Sequence, residues 1–543
     1  MNGAELFARC LVNEGVEYLF GLPGEENLHL LEALDQTSIT FISCRHEQGA
    51  AFMADVYGRL TGRAGVCLAT LGPGATNLVT GVADANMDHA PLVAIAGQAA
   101  TTRLHKESHQ VLDLVGLFAP ITKYSARLVS PAVIGEVTRK AFRIAATEKK
   151  GATFIEFPED IAQMPAAGAP LPVYTPELPE PQSNLLRQAA ALISQARQPL
   201  ILAGNGAIRD NACQALRRFA EQGNIPVATT FMAKGALPFS HPLSLGSAGL
   251  QANDYISCGF GKADCIITVG YDLVEYHPHL WHPSADRVII DIDSVPPETD
   301  QHYPVAAAVV GDIAVSLSRL TDLVTPHPGQ FMRPLREALL DAMARHATDP
   351  SFPVKPQRLV HDLRAVLAPD DLVVCDVGAH KLWMARMYPC EQPNTCLISN
   401  GFASMGIALP GALAAKLARP ERAVVAVTGD GGFLMNVQEL ETARRLNLPF
   451  VVLIWNDGGY GLIEWKQLNA FGRSSHVQFS NPDFIKLAEA FDLKGYRVGH
   501  PDELQPLLRE ALAQPQVTII DCPVDYRENR RLTEELRDMI CPL

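Results

Sequence analysis

Residues 423–460 read AVVAVTGDGGFLMNVQELETARRLNLPFVVLIWNDGGY, and this stretch decides the fold class. Two apolar runs of strand length, AVVAVT and PFVVLIW, flank a segment with a helical pattern of apolar residues. Each run ends in a glycine-rich turn, the first containing Asp430 and the second containing Asp457. Buried strands that alternate with helices are typical of parallel sheets, so the stretch predicts a strand–helix–strand unit.

The same alternation extends over the whole chain of 543 residues. Apolar runs such as GVCLATLG, PLILAGNGA and DLVVCDVG recur between helical patterns, and two proline-rich stretches separate them into three blocks. We therefore predict an α/β protein with three doubly wound parallel-sheet domains. The predicted divisions are a first domain at 1–165, a proline-rich linker at 166–183, a central Rossmann-like domain at 184–325, a linker with a helix at 326–356, and a third domain with a C-terminal tail at 357–543.

The composition is that of a compact soluble protein, with 48% hydrophobic and 19% charged residues. The net charge of −14 argues against a nucleic-acid partner, because phosphate neutralisation needs a basic face. The apolar runs are too short to span a membrane, and the N-terminus lacks the basic start of a signal peptide. Eleven cysteines without a CxxC pair predict free thiols in a reducing compartment. These features predict a cytoplasmic protein without a membrane partner.

Asp430 and Asp457 are the first candidates for chemistry. They follow two successive strands, and a strand–helix–strand unit brings the carboxyl ends of its strands side by side. Two carboxylates beside glycines that permit close backbone approach suit Mg²⁺ or Ca²⁺ shared with a diphosphate. The GDGG fragment alone is equally compatible with a tight turn that binds nothing.

Two other segments carry candidate residues. Glu47, in the stretch RHEQGAA at 45–51, begins a predicted helix directly after the strand ITFISC. On its own it could be a helix N-terminal carboxylate that the helix dipole favours. Met405, in SNGFASMG at 399–406, could equally be an ordinary core residue.

Taken together, these motifs resemble the cofactor signature of thiamine-diphosphate enzymes. The GDG turn, the intervening helix and strand, and the Asn456-Asp457 pair have that spacing, although many members carry Asn where this chain has Asp457. RHEQGAAFMADVYGRLTG at 45–62 resembles the segment with the family's catalytic glutamate. The resemblance spans the chain in the order pyrimidine domain, central domain, diphosphate domain. It is closest to the catabolic, flavin-independent acetolactate synthases, on GYDLVEYHPHLWHP at 270–283 and CPVDYRENRRL at 522–532.

The resemblance implies roles for individual residues. Glu47 would activate the cofactor at its pyrimidine N1′, Met405 would hold the cofactor bent, and Gln110 would orient the substrate. The implied metal ligands are Asp430, Asp457 and the backbone carbonyl of Gly459. The other implied cofactor contacts are Pro23, Thr70, Asn77, Gly378, Ala379, His380, Gly429, Gly431, Gly432 and Tyr460.

The implied activity is that of an acetolactate synthase, a transferase. It would decarboxylate pyruvate on thiamine diphosphate and add the hydroxyethyl carbanion to a second 2-oxoacid, giving 2-acetolactate and CO₂. The implied cofactors are thiamine diphosphate and Mg²⁺. FAD is not expected, since GNG at 204–206 is only a fragment of a dinucleotide fingerprint and is interpreted as a turn. The implied assembly is a homodimer or homotetramer that shares its active site across a dimer interface, without a regulatory subunit.

One residue departs from the pattern. Glu26 stands where the catabolic enzymes have a lysine, and a carboxylate there could repel an anionic acceptor. A thiamine-diphosphate-dependent decarboxylase or carboligase with a different acceptor therefore stays open, as does a flavin-dependent oxidase. A third alternative is a catalytically silent protein on the same fold. The joint presence of Glu47, Asp430, Asp457 and Met405 argues against this third alternative.

Overall fold

The computed structural model describes residues 1–174, 177–249, 254–328, 331–530, 534 and 541–543. Within them lie three six-stranded sheets whose neighbouring strands pair in parallel throughout. The predicted α/β class with three doubly wound parallel sheets is confirmed. The domain boundaries remain a proposal, and all three sheets lie inside the proposed domains.

The first sheet has the strand order β2-β1-β3-β4-β6-β5. Its strands are β1 (Tyr18–Gly21), β2 (Thr40–Ser43), β3 (Gly65–Ala69), β4 (Leu92–Gln98), β5 (Tyr124–Arg127) and β6 (Ala152–Pro158). Its helices are α1 (Gly3–Asn13), α2 (Leu28–Leu34), α3 (Glu47–Thr61), α4 (Pro73–Met87), α5 (Leu114–Phe118), α6 (Ile134–Ala146) and α7 (Glu159–Gln163). The central strands β3, β4 and β6 are buried along their whole length, as parallel strands covered by helices on both faces must be.

The second sheet has the order β12-β11-β10-β7-β8-β9, which is the Rossmann order and confirms the expected Rossmann-like centre. Its strands are β7 (Pro199–Ala203), β8 (Val227–Thr229), β9 (Ser244–Ser247), β10 (Cys265–Val269), β11 (Val288–Asp293) and β12 (Val305–Val310). The helices of this part are α8 (Ser183–Gln195), α9 (Gly206–Arg209), α10 (Cys213–Gly223), α11 (Tyr255–Lys262) and α12 (Ile313–Thr321), followed in the second linker by α13 (Arg333–Ala344).

The third sheet, β14-β13-β15-β16-β18-β17, repeats the strand order of the first. Its strands are β13 (Leu372–Cys375), β14 (Cys396–Ile398), β15 (Val424–Gly429), β16 (Val451–Asn456), β17 (Lys494–Arg497) and β18 (Thr518–Pro523). Its helices are α14 (Pro356–Val366), α15 (Ala379–Met387), α16 (Ala408–Ala418), α17 (Asp430–Phe433), α18 (Glu439–Arg445), α19 (Gly461–Phe471), α20 (Phe484–Ala490) and α21 (Leu504–Leu512). The strand–helix–strand unit expected from residues 423–460 is present, with α17 and α18 in place of one continuous helix.

One apolar core joins the first and third domains. Helix α3 packs on α16, and Gly411 allows the close approach, because a Cβ there would lie 2.9 Å from Val56 Cγ2 and 3.0 Å from Val374 Cγ1. The shared core contains buried alanines and leucines from both domains. The ends of α3 are therefore held in fixed positions relative to the third sheet.

A buried charge cluster reinforces this contact. Arg59, on α3, bonds to Asp55 at 2.7 Å and to Asp88 at 2.6 Å, and it donates to the carbonyl of Ile398 in the third domain. Asp88 also accepts from the backbone amide of Asn400 at 3.0 Å, and Asp84 accepts from the hydroxyl of Ser399 at 2.7 Å. The loop that leads to Met405 is thus held by carboxylates of the first domain.

Two of the eleven cysteines differ from the expected free thiols. Cys258, on α11, and Cys541 are joined by a disulfide, with a Cα–Cα distance of 5.7 Å. The other nine are free, and eight of these are buried. The pairing joins positions 283 residues apart, so spacing along the chain gave no sign of it.

Among the described residues, none of the helices combines the length and the apolar character that a membrane crossing requires. Of the tail segment 522–532, Arg531 and Leu532 lie outside the described residues.

Arg59→Met should destabilise the fold strongly, because it leaves three buried carboxylates without their cation. We expect the free energy of unfolding to fall by about 3–5 kcal/mol, as measured by urea denaturation. Arg63→Met is the matched control, since its ion pair with Glu17 is about half exposed and should contribute less than about 1 kcal/mol. Equal shifts in the two variants would contradict a structural role for the cluster.

Candidate active site

The two predicted metal-binding aspartates lie side by side beyond adjacent strands. Strands β15 and β16 pair in parallel with Gly429 opposite Trp455, so Asp430 and Asp457 follow at the same edge. The Asp430 carboxylate accepts from the backbone amide of Gly458 at 2.8 Å. It also accepts from the side-chain amide of Asn481 at 2.7 Å. Its position is therefore fixed by the loop that carries Asp457.

The electrostatics of this pair favour a cation. Burial raises the pKa of Asp430, and burial together with the Asp430 carboxylate raises the pKa of Asp457 to about 8. A divalent ion would relieve both effects by stabilising the charged forms. In the described residues no group of three or more His, Cys, Asp or Glu side chains could hold a metal ion. Two carboxylates with phosphate oxygens as the further ligands are the usual environment of Mg²⁺.

A cavity of about 160 Å³ opens directly beside the pair. All its lining residues belong to the third domain. The predicted site residues among them are Gly378, Ala379, His380, Met405, Gly429, Asp430, Gly431, Gly432, Asp457, Gly459 and Tyr460. One cavity thus brings together every residue predicted to contact the diphosphate, to bind the metal or to hold the cofactor bent.

The lining suits an anion. His380 is buried and its Nε2 has no hydrogen-bond partner. Burial lowers the pKa of His380 to about 3, so the ring is neutral near pH 7 and one nitrogen can donate. The ring lies against Gly378 and Gly429, where a Cβ would approach it to 2.8 and 3.3 Å. The two carboxylates and the unpartnered ring nitrogen therefore fit a divalent cation with a diphosphate.

Met405 is held in place by a residue that the sequence analysis did not assign. Met405 is half-buried and is followed by Gly406, whose φ of +91° favours glycine. The buried Asp376 carboxylate accepts from the amide of Gly406 at 2.8 Å and from the hydroxyl of Thr428 at 3.1 Å. Burial raises the pKa of Asp376 to about 6. Asp376 thus couples the Met405 turn to the end of β15.

The remaining predicted residues cluster in the first domain. Glu47 begins α3, is 8% exposed, and accepts from the side-chain amide of Asn77 at 3.0 Å. The hydroxyl of Thr70 donates to Glu26 at 2.5 Å. Glu26, the residue that differs from the lysine of the catabolic enzymes, therefore lies inside this cluster. Pro23 is exposed on the adjoining loop.

Gln110 packs closely against the backbone of Gly72, which lies two residues after Thr70. It is exposed, and its φ of +57° places it in the left-handed region. It lies against Gly72, whose own φ is +54° and where a Cβ would come within 2.8 Å of Gln110. A side chain at position 72 would therefore displace Gln110.

Strand order explains both locations. In doubly wound sheets, ligands bind beyond the carboxyl ends of the strands where the winding direction reverses. That point lies between β1 and β3 in the first sheet and between β13 and β15 in the third. Glu26 and Thr70 lie in the segments that follow β1 and β3, and His380 and Asp430 lie in the first turns of the helices that follow β13 and β15.

The two clusters do not meet within one chain. Side chains of the first domain, Glu47 and Gln110 included, do not line the cavity of the third. Large apolar side chains near the cavity are exposed to solvent, with Phe402 43%, Tyr460 40% and Ile463 48% accessible. Exposed apolar surface of this kind marks an interaction site.

Three further residues were missed by the sequence analysis. Asn481 bonds to both Asp430 and Asn456, yet its surroundings in the sequence resemble an ordinary loop. Glu439 accepts from the backbone amides of Arg45 and His46, at 3.1 and 3.0 Å, immediately before Glu47. Tyr526 lines the cavity from beyond the last strand. Each approaches its partner through the tertiary fold, so no local motif marked it.

Three stretches of the chain match the domains of one family of known proteins. Residues 1–117 match the model described as "Thiamine pyrophosphate enzyme, N-terminal TPP binding domain", residues 186–320 match the central domain of the same enzymes, and residues 376–522 match the C-terminal TPP binding domain. Thiamine pyrophosphate is another name for thiamine diphosphate.

Relatives match over nearly their whole length. "Acetolactate synthase" of Bacillus subtilis is 37% identical, covering 98% of this chain and 95% of the relative. "Acetolactate synthase, catabolic" of Raoultella terrigena is 35% identical, covering 98% and 97%. "Probable acetolactate synthase large subunit" of Methanocaldococcus jannaschii is 36% identical, covering 97% and 93%. The chain therefore belongs to the thiamine pyrophosphate enzyme family, close to the acetolactate synthases.

Proposed function

We propose that the protein is an acetolactate synthase that forms 2-acetolactate and CO₂ from two molecules of pyruvate. The observation that carries the proposal is the third-domain cavity, where Asp430 and Asp457 meet the unpartnered nitrogen of His380. The names of the full-length relatives support this activity in preference to other reactions of the family. When bound, thiamine diphosphate supplies the electron sink that allows a 2-oxoacid to lose CO₂ and to form a new carbon–carbon bond.

In this proposal the third domain holds the diphosphate end. Asp430, Asp457 and the carbonyl of Gly459 would hold Mg²⁺, which would neutralise the charge of the diphosphate. His380 would donate to the diphosphate in the tautomer that carries the proton on Nε2, and the glycines at 378 and 429–432 would let the backbone approach it. Met405 would support the cofactor, and Asp376 keeps the Met405 turn in place.

The first domain supplies the proton-transfer group. The Glu47 carboxyl holds a proton at the pyrimidine N1′, and the amide of Asn77 fixes its orientation. Because Glu47 is largely shielded from water, its hydrogen bond to the ring is stronger than the same bond in solution. Thr70 and Pro23 border the pyrimidine, and Gln110 orients the 2-oxoacid.

Glu26 bears on which 2-oxoacid or aldehyde acts as the acceptor. Glu26 is bonded to Thr70, so its carboxylate has a partner within the site. We propose that Glu26, held by Thr70, does not prevent a second pyruvate from binding as the acceptor. A decarboxylase or carboligase with a different acceptor remains the second candidate, because none of the described residues that line the third-domain cavity is a lysine or arginine that could bind a carboxylate.

We propose no flavin. At the carboxyl edge of the second sheet, Arg209 is bonded to Glu148 and Asp272, and burial raises the pKa of the neighbouring Asp293 to about 7. The cations at this edge, Arg209 and Lys149, are already paired with Glu148 and Asp272 and would have to give up these ion pairs to bind the phosphates of a dinucleotide. The GNG turn precedes the short helix α9, and Gly206 packs directly against Gly270.

We further propose that two chains share each active site. The Glu47 cluster of one chain would face the third-domain cavity of its partner, and the exposed Phe402, Tyr460 and Ile463 would be covered by that contact. A homodimer is then the smallest active unit, and a homotetramer is compatible with it. We propose that no regulatory subunit is required, although the Methanocaldococcus relative is named a large subunit.

Product analysis tests the reaction directly. Purified protein incubated with pyruvate, thiamine diphosphate and Mg²⁺ should form acetolactate, detected by NMR, only when both cofactors are present. Acetaldehyde as the sole product would indicate a decarboxylase. Acetolactate formed without added or bound thiamine diphosphate would contradict the proposal.

Glu47→Gln should lower kcat by about 10²–10⁴-fold, because the amide cannot exchange the proton at N1′. Thiamine diphosphate should still bind, since the diphosphate contacts lie in the other domain. The control is Glu25→Gln, an exposed carboxylate on the loop that leads to Glu26, which should leave kcat unchanged. Near-normal turnover of the Glu47 variant would remove its assigned role.

Mixed dimers test the shared site. A heterodimer of one Glu47→Gln chain and one Asp430→Ala chain, isolated through two affinity tags, should retain about half of the wild-type activity, because one of its two sites keeps both native residues. A heterodimer of wild type with a chain carrying both substitutions should be inactive. The reverse pattern would show that each chain forms its own site.

A further inference from the structure

The C-terminal segment 524–530, which follows β18, is fixed against the third domain. The amide of Val524 donates to the carbonyl of Asn456, and the amide of Asp525 donates to the carbonyl of Val354, both at 3.0 Å. Further along, the indole of Trp383 donates to the side-chain oxygen of Asn529 at 2.7 Å. Both Glu528 and Asn529 are buried. These contacts make the segment a fixed wall on the surface of the third domain.

Tyr526 is the residue of this wall that reaches the cofactor cavity. Its ring stacks near Trp455, with centroids 6.4 Å apart and an interplanar angle of 28°. It also passes over Gly461, where a Cβ would lie 3.0 Å from the Tyr526 ring and 2.6 Å from Asp457 Oδ2. Behind it lies a second cavity of about 560 Å³, and both Tyr526 and Asp457 border the two cavities. Tyr526 thus lies, together with Asp457, between the two cavities.

The Tyr526 hydroxyl is buried, the backbone of His380 lies near its oxygen, and no acceptor for its proton lies within hydrogen-bond distance among the described residues. A tyrosine hydroxyl keeps its proton near neutral pH and can donate it in a hydrogen bond. A buried donor without an acceptor is unfavourable, and such groups are rare in folded proteins. The cavity therefore contains two unpartnered polar groups, this hydroxyl and His380 Nε2.

We propose that Tyr526 is a cofactor-binding residue whose hydroxyl donates a hydrogen bond to the diphosphate of thiamine diphosphate. The inference rests on the proposed function, because it takes this cavity as the diphosphate site. A neutral phenol beside two carboxylates is suited to an anionic acceptor and poorly suited to be a further Mg²⁺ ligand. Tyr526 lies beyond residue 522, where the match to the C-terminal TPP binding domain ends.

Tyr526→Phe removes the hydroxyl and keeps the ring against Trp455. With saturating Mg²⁺, the variant should bind thiamine diphosphate about ten- to a hundredfold more weakly than wild type, the range expected for a hydrogen bond to a charged group. Binding is measured by isothermal titration calorimetry and by the intrinsic tryptophan fluorescence of the protein. Inorganic diphosphate should show the same loss, whereas thiamine without phosphates should bind equally to both proteins.

Tyr388→Phe is the matched control. Tyr388 is a buried tyrosine of the same domain whose hydroxyl is bonded to Arg364 and does not line the cavity, so its loss should leave the cofactor affinity unchanged. Unchanged affinity of Tyr526→Phe for thiamine diphosphate, or an equal loss for thiamine alone, would overturn the assignment of Tyr526. Failure of the wild-type protein to bind thiamine diphosphate with Mg²⁺ would instead overturn the proposed function itself.

Discussion

The placement of two carboxylates at one edge of a parallel sheet is the constraint on which the site depends. Asp430 and Asp457 are brought together because β15 and β16 are neighbours, and their mutual repulsion in a buried environment makes the pair stable only with a cation or a proton. The polar groups around the two carboxylates meet this need for compensating charge or hydrogen bonds. Asn481 and the amide of Gly458 stabilise Asp430, while the unpartnered nitrogen of His380 leaves room for an anion that would accompany the cation.

The two halves of the proposed site are connected through the chain even though they do not touch. Glu439, in the third domain, accepts hydrogen bonds from the backbone directly before Glu47. Burial raises the pKa of the Glu439 carboxyl group. At the C-terminal end of α4, Asp84 and Asp88 hold the loop that leads to Met405. In a dimer with shared sites, these contacts would link the first-domain half of one site to the third-domain half of the other. The packing of α3 on α16 makes that link rigid.

Much of the site could be predicted because its residues lie next to strands that the sequence identifies. Asp430, Asp457 and His380 follow apolar runs, and parallel pairing carries such positions to one edge. Asn481, Glu439 and Tyr526 could not be predicted in the same way. They come from a loop, a helix and a tail whose approach to the site depends on how the domains pack, and their local sequence carries no glycine-rich turn or strand end. The disulfide between Cys258 and Cys541 escaped prediction for the same reason.

From the sequence alone, the period of the apolar residues was enough to predict the α/β class and the parallel sheets, because that period is a local property of the chain. The family and the candidate residues of the diphosphate and pyrimidine clusters came from the resemblance of its motifs to those of thiamine-diphosphate enzymes. Only the tertiary structure decided that the two clusters occupy separate surfaces, that Glu26 is bonded to Thr70, and that Tyr526 lines the cavity. Those relations join residues distant in sequence, and they exist only after the helices and sheets have packed.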